Sequence, residues 1–242
     1  MRMSLVSAEM SKHALNSFFA VSLAFIYDIA DMCEKTGADV VEVSKALRSD
    51  SRIGQAAYLD AGIGFSGGTL GRDLKSLKRL GNKFNIELPV ISGVWEKNLN
   101  RREIIMANFA RKIGGFNGKT IGIFGLTYKA GTSTLRRSLS LEIIEKINKR
   151  GGVVRAFDPE AKEKEIKEKG VSNFFRDPYQ AAEGCHAIFL MTSWPQFKEL
   201  RVDKILQSMV KPKIFFDTKN FLREREEEFK NAGIMYIGVG RG

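Results

Sequence analysis

A run of thirty residues without proline or glycine, from Ser7 to Thr36, constrains the fold of this chain most. Its apolar side chains recur at helical spacing, and Gly37 supplies a stop. The run predicts one helix over residues 7–36, roughly 45 Å long at 1.5 Å per residue. The middle of this helix is apolar nearly all round, so its surface has to be covered. We therefore expect a homodimer that forms through helix 7–36.

Two more helices are predicted downstream. Asp39 is a good N-cap for a short helix from Val40 to about Leu47, and Pro89 opens a helix that runs to about Ile113. Up to that point the predicted structure is all α.

A glycine-rich stretch, Ala61 to Asp73, lies between these helices. Glycine suits positions where the backbone needs a positive φ or must approach a ligand closely. The stretch leads into a helix predicted from about Asp73 to Asn82. It is either a ligand cradle or a flexible linker. Three apolar residues within it favour the cradle, because solvated linkers lack such anchors: Ile63, Phe65 and Leu70.

The pattern changes at Gly114–Gly115. Short apolar runs then predict strands near residues 119–125, 152–157, 187–192, 213–216 and 235–239, with helical segments between them. This alternation indicates a parallel sheet with helices on both faces. We predict an all-α domain over residues 1–114 and an α/β domain over residues 115–242. Ligands bind such sheets beyond the carboxyl ends of the strands, which makes Gly125–Lys129 candidate contacts.

Composition limits the function classes. The chain has 39 Lys and Arg against 28 Asp and Glu, a net charge of +11 that suits phosphate-bearing partners. Most basic residues are interleaved with acids, which favours solvated helix faces over a nucleic-acid patch. The two cysteines and two histidines do not have metal-ligand spacing. The start lacks a signal-peptide pattern, and the apolar run over residues 18–29 is too short to span a bilayer, so we expect a cytoplasmic protein.

Several motifs follow one another along the chain. They are Ala8–Asn16, Asp50–Gly54, Gly64–Asp73, Gly125–Ser138, Ala156–Pro159, Met191–Phe197 and Phe216–Asn220. Together they resemble the signatures of the UDP-glucose/GDP-mannose dehydrogenase family, in the right order and over essentially all 242 residues.

The resemblance implies an NAD-dependent oxidation of the C6 alcohol of a nucleotide sugar to a carboxylate, in polysaccharide biosynthesis. It also implies a central helix that dimerises and a C-terminal Rossmann-like domain that holds the nucleotide. The family's N-terminal NAD-binding domain is not in this chain, which begins at the central helix. That domain is a separate polypeptide, has been lost, or was removed.

The resemblance also assigns roles to single residues. Lys12 and Asn16 match the pair that holds the active-site water and the developing oxyanion, and a cation one helical turn from an amide donor suits that task. Asp73 matches the carboxylate that assists proton transfer, and Arg52 the arginine that reaches the sugar from the neighbouring subunit. The remaining substrate contacts implied are Tyr58, Phe65, Gly67, Gly68, Leu70, Tyr128, Lys129, Arg136 and Lys219.

Two departures from the family pattern bear on activity. Thr69 stands where the family has its catalytic cysteine, and Lys219 stands where it has arginine. A threonine hydroxyl is a far weaker acid than a thiol and needs a strong adjacent base, and we expect no histidine to be placed for that. Two hypotheses remain: the substrate-binding and dimerising portion of a dehydrogenase, or a non-catalytic nucleotide-sugar-binding or scaffold homologue.

Overall fold

The long first helix and the parallel sheet predicted from the sequence are both present in a computed structural model, which describes residues 2–66 and 68–242. The chain divides into two compact units. Unit 1 comprises residues up to 105 together with 240–242, and unit 2 comprises residues 106–239. The domain boundary predicted at residue 114 stays a prediction.

Unit 1 is built from helices α1 (Leu5–Thr36), α2 (Val40–Ser49), α3 (Thr69–Phe84) and the start of α4 (Pro89–Ile113). Local sequence explains the ends of α1: the Ser4 hydroxyl accepts a hydrogen bond from the Ser7 N–H, and Gly37 ends the helix at a φ of 80°. The last residues of the chain also belong to this unit, since Arg241 forms an ion pair with Asp39 at 3.0 Å.

Helix α1 has one packed side and one open side. Its packed side includes Ala20, Ala24 and Tyr27, and the helix packs against α2 and α3. On the open side Phe18 and Met32 are 66% and 60% exposed. By length and composition alone α1 could cross a membrane, a test that buried core helices also pass. A third of its most apolar window is buried.

Helix α3 begins earlier than predicted. It starts at Thr69 rather than near Asp73, so both residues lie on one helix, one turn apart. The predicted start was late because Gly71 resembles a loop glycine in the sequence. An added Cβ there would lie 2.8 Å from the ring of Trp95, so this glycine is required by close helix packing and not by a loop.

Unit 2 is a six-stranded, all-parallel sheet. Its strands are β1 (Thr120–Phe124), β2 (Val153–Phe157), β3 (Phe174–Phe175), β4 (Ala187–Leu190), β5 (Ile214–Asp217) and β6 (Met235–Gly238). The strand order is β3-β2-β1-β4-β5-β6, the doubly wound order of a Rossmann-like fold. Both the order and the parallel pairing agree with the predicted α/β class.

Helices cover this sheet. They are α5 (Leu139–Lys149), α6 (Glu163–Glu168), α7 (Pro178–Ala182), α8 (Val202–Ser208) and α9 (Glu226–Asn231), with 3₁₀ turns at Pro195–Glu199 and Arg223–Arg225. Every residue of β4 and β5 is buried, which is why these strands read as continuous apolar runs. The two-residue strand β3 was not predicted, because it is too short to give a pattern.

Candidate functional site

Helices α1 and α3 bring two of the predicted catalytic residues together. The Asn16 side chain on α1 donates a hydrogen bond from Nδ2 to Oδ2 of Asp73 on α3. Asp73 is 1% exposed, whereas Lys12, one turn before Asn16 on the same face of α1, is exposed. The face of α1 that carries Lys12 and Asn16 therefore meets α3 at a buried carboxylate.

The second oxygen of Asp73 faces two more groups. Arg72 Nε donates to Oδ1 at 3.2 Å, and Nδ1 of His13 lies 3.4 Å from the same oxygen. Burial raises the pKa of the Asp73 carboxyl, but hydrogen bonds from Asn16 and Arg72 and the electrostatic effect of Arg72 and His13 outweigh it, so the pKa lies below its usual value. Asp73 is thus held as a carboxylate.

His13 is the site residue that sequence reasoning missed. The structure places His13 against Asp73, which follows Thr69 by one turn of α3. The signal was available in the spacing: His13 precedes Asn16 by three residues, which places both on one face of a helix.

Thr69 is the first residue of α3, and its side chain is exposed. Gly68 before it is buried and caps the helix without a side chain, and its N–H donates to the Ser66 hydroxyl at 3.4 Å. Leu70 is half-buried. Gly67 lies outside the described residues.

Three buried polar residues of α4 hold the glycine-rich stretch in place. Asn98 exchanges two hydrogen bonds with the backbone of Phe65, at 2.7 and 3.0 Å, and Arg102 donates to the carbonyl of Phe65. Arg101, fully buried, donates to the carbonyl of Gly62 at 2.7 Å. The stretch is therefore anchored rather than a free linker. The sequence analysis did not predict these anchors, although Asn98, Arg101 and Arg102 stand at positions i, i+3 and i+4 and therefore share a helix face.

Two other predicted contacts lie between α2 and α3. Arg52 is largely exposed and forms an ion pair with Asp50 at 2.6 Å. Tyr58 is 47% exposed, and its ring stacks on Phe19 of α1 with centroids 4.3 Å apart. Neither of these two contacts involves Asn16 or Asp73.

The predicted contacts of unit 2 follow the carboxyl ends of strands. Tyr128, Lys129 and Arg136 lie in the loop after β1, and Lys219 follows β5; all four are exposed. The loop is organised by its own backbone, since the Tyr128 N–H donates to the Thr134 carbonyl at 3.0 Å. Three cations thus lie at the sheet edge where α/β folds bind ligands.

The turn after β1 does not fit a dinucleotide. Rossmann sheets bind a pyrophosphate there through free backbone N–H groups. In this chain the N–H groups of Leu126 and Thr127 donate to Oδ2 of buried Asp158 at 2.7 and 2.9 Å, and Trp194 Nε1 donates to the same oxygen at 3.2 Å. Because these two N–H groups already donate to Asp158, they are not free to bind the pyrophosphate of a dinucleotide. Over residues 2–66 and 68–242, no cluster of His, Cys, Asp or Glu could hold a metal ion.

Two family models match this chain. The central-domain model of the UDP-glucose/GDP-mannose dehydrogenase family matches residues 6–100, and the UDP-binding-domain model of the same family matches residues 122–224. Among curated proteins, the chain is 34% identical over 238 residues to UDP-glucose 6-dehydrogenase TuaD of Bacillus subtilis (strain 168), covering 98% of this chain and 51% of that protein. It is 36% identical over 240 residues to UDP-glucose 6-dehydrogenase of Rickettsia typhi, and this match covers 98% of this chain and 54% of that protein.

Solved structures give the same result. A UDP-glucose dehydrogenase from Pyrobaculum islandicum superimposes with a TM-score of 0.84 at 26% identity, covering 98% of this chain and 51% of that one. A UDP-D-ManNAc dehydrogenase from Pyrococcus horikoshii superimposes with a TM-score of 0.80 at 25% identity. The match covers 98% of this chain and 52% of that one. The chain therefore spans about half the length of the relatives it matches.

Proposed function

The chain belongs to the UDP-glucose/GDP-mannose dehydrogenase family, and on that premise we propose that it is the nucleotide-sugar-binding and dimerising portion of an NAD-dependent nucleotide-sugar 6-dehydrogenase. NAD is proposed to bind outside the residues described here, because the turn after β1 does not fit its pyrophosphate. We expect the protein to act in the cytoplasm, with neither nucleic acid nor membrane as a partner.

The hydrogen bond between Asn16 and buried Asp73 carries this proposal. Both residues stand at family motif positions, and the fold joins them although they are 57 residues apart. With Lys12 on the same helix face, they would provide a cation, an amide donor and a carboxylate around one point. Such a group suits an alkoxide that forms when a hydroxyl is oxidised.

The cations of unit 2 support the nucleotide part of the proposal. Lys129, Arg136 and Lys219 lie at the carboxyl edge of a parallel sheet and suit the diphosphate of a nucleotide sugar. Phe65 and Tyr58 are proposed to flank the sugar and base, with Gly67, Gly68 and Leu70 completing the cradle. Arg52 is largely exposed and pairs with Asp50, and it is proposed to serve the site of the second subunit.

Thr69 favours a second candidate function. The family's covalent step needs an activated nucleophile, and an exposed threonine hydroxyl is a weak one. A homologue with this residue could retain nucleotide-sugar binding and dimerisation as a scaffold without oxidising the sugar to the acid.

Reconstitution distinguishes the two candidates. The chain is mixed with the dinucleotide-binding domain of a relative and tested with UDP- and GDP-sugars for NADH formation at 340 nm. A dehydrogenase portion forms NADH, and Thr69→Cys increases acid formation. Nucleotide-sugar binding without NADH in either form supports the scaffold. Absence of nucleotide-sugar binding contradicts both.

A further inference from the structure

We infer that His13 recognises the C6 hydroxyl of the bound nucleotide sugar and is a specificity-determining residue of this chain, an inference that rests on the proposed function. Asp73, whose carboxylate faces the imidazole, also orients His13. The argument starts from the way the imidazole is held between α1 and α3.

The imidazole of His13 has one buried and one open edge. Its Nδ1 atom is buried and lies 3.4 Å from Oδ1 of Asp73. Yet the side chain as a whole is 34% exposed. Nδ1 contributes none of this exposed surface, and Nε2, on the opposite edge of the ring, is not among the buried atoms without a hydrogen-bond partner.

The state of Asp73 fixes what that open edge can do. The carboxylate is held ionised, and an ionised carboxylate only accepts hydrogen bonds. An imidazole that faces this carboxylate through Nδ1 carries a proton on that atom, which leaves Nε2 to pair with a ligand. A sugar hydroxyl both donates and accepts hydrogen bonds, so it can pair with Nε2.

The neighbours of His13 are residues that are proposed to act on C6. Lys12 adjoins His13 in sequence, and Asn16 shares its helix face and binds the other oxygen of Asp73. Arg72, the remaining charged group at the carboxylate, already neutralises it, and is half exposed. Arg72 therefore provides the positive charge that balances Asp73, and His13 is not required for that purpose. This leaves the Nε2 edge of His13 available to contact a ligand.

Calorimetric titrations with two probes test the inference. UDP-xylose is UDP-glucose without the C6 hydroxymethyl group, so the pair isolates the C6 contact. His13→Gln should weaken UDP-glucose binding about fivefold, the value of one net hydrogen bond, and leave UDP-xylose binding unchanged. Asp73→Asn should reproduce the same selective loss. His186→Gln, which removes the other histidine of the chain, should change neither affinity.

Each outcome of these titrations either supports or overturns the inference. Selective loss of UDP-glucose affinity in His13→Gln supports the inference. Equal affinities in wild type and variant, or an equal loss for both probes, overturn it while leaving the proposed function intact. If wild-type protein binds neither probe nor UDP itself, the proposed function fails and this inference fails with it. Melting curves of the variants show whether a loss reflects misfolding, and Asp73→Asn then provides the independent readout.

Discussion

Asp73 organises the candidate site at the scale of single residues. Three side chains converge on its carboxylate, two of them from α1 and one from its own helix. Sequence reasoning identified Asp73 and Asn16 because both stand in motifs. The spacing of His13 and Asn16 places both on one face of α1, but the contact of His13 with Asp73 depends on how α1 crosses α3.

The same carboxylate makes stability depend on pH. The folded pKa of Asp73 is below its unfolded value, so its contribution to stability is present above about pH 4 and is lost as pH falls through the folded pKa. Wild type should therefore exceed Asp73→Asn in free energy of unfolding at pH 7, and the difference should shrink between pH 5 and pH 2 in urea titrations. A difference that stays constant over that range would refute this account of the carboxylate.

At the scale of elements, the sequence predicted most helices and strands to within a few residues. Helix α4 begins and ends where expected, at Pro89 and Ile113, because proline and glycine mark those positions. The start of helix α3 was predicted four residues late, because Gly71 resembles a loop glycine in the sequence and its packing against Trp95 is not visible there. Strand β3 could not be predicted, since two residues have no periodicity.

Two helical glycines provide a matched test of that explanation. Gly71 on α3 and Gly93 on α4 both lie inside helices, but only Gly71 has a ring within 3 Å of an added Cβ. Gly93→Ala should stabilise the protein by about 0.5–1 kcal/mol, the helix propensity gain. Gly71→Ala should instead destabilise it by about 1–3 kcal/mol, the cost of overpacking.

Thermal or urea unfolding followed by far-UV circular dichroism measures both substitutions. If Gly71→Ala stabilised the protein as much as Gly93→Ala, the packing explanation for this glycine would have to be abandoned.

At the scale of the whole molecule, the open side of α1 remains to be covered. Phe18 and Phe25 are 66% and 48% exposed and lie seven residues apart, on one face of the helix. The sequence predicted an apolar helix of this length, and a single chain cannot show what covers it. Exposed apolar surface along a long helix is typical of an association surface.

We therefore expect the chain to form a dimer that Phe18→Asp with Phe25→Asp converts to monomer, because both charges would be buried at the interface. Sedimentation velocity measures the change. Val153→Asp, at another exposed apolar residue outside α1, serves as the control and should leave the dimer intact. A monomeric wild type, or a double variant that still dimerises, would disprove association through helix 7–36.

The account as a whole depends on nucleotide-sugar binding by this chain. Its most direct test is the melting temperature of the protein with UDP-glucose, with free glucose as the control. At a UDP-glucose concentration 100 times Kd we expect a gain of about 2.7 kcal/mol, seen as a rise of roughly 5 °C or more, and no change with glucose. An unchanged melting temperature with UDP-glucose and with every other UDP- and GDP-sugar tried would contradict the central claim.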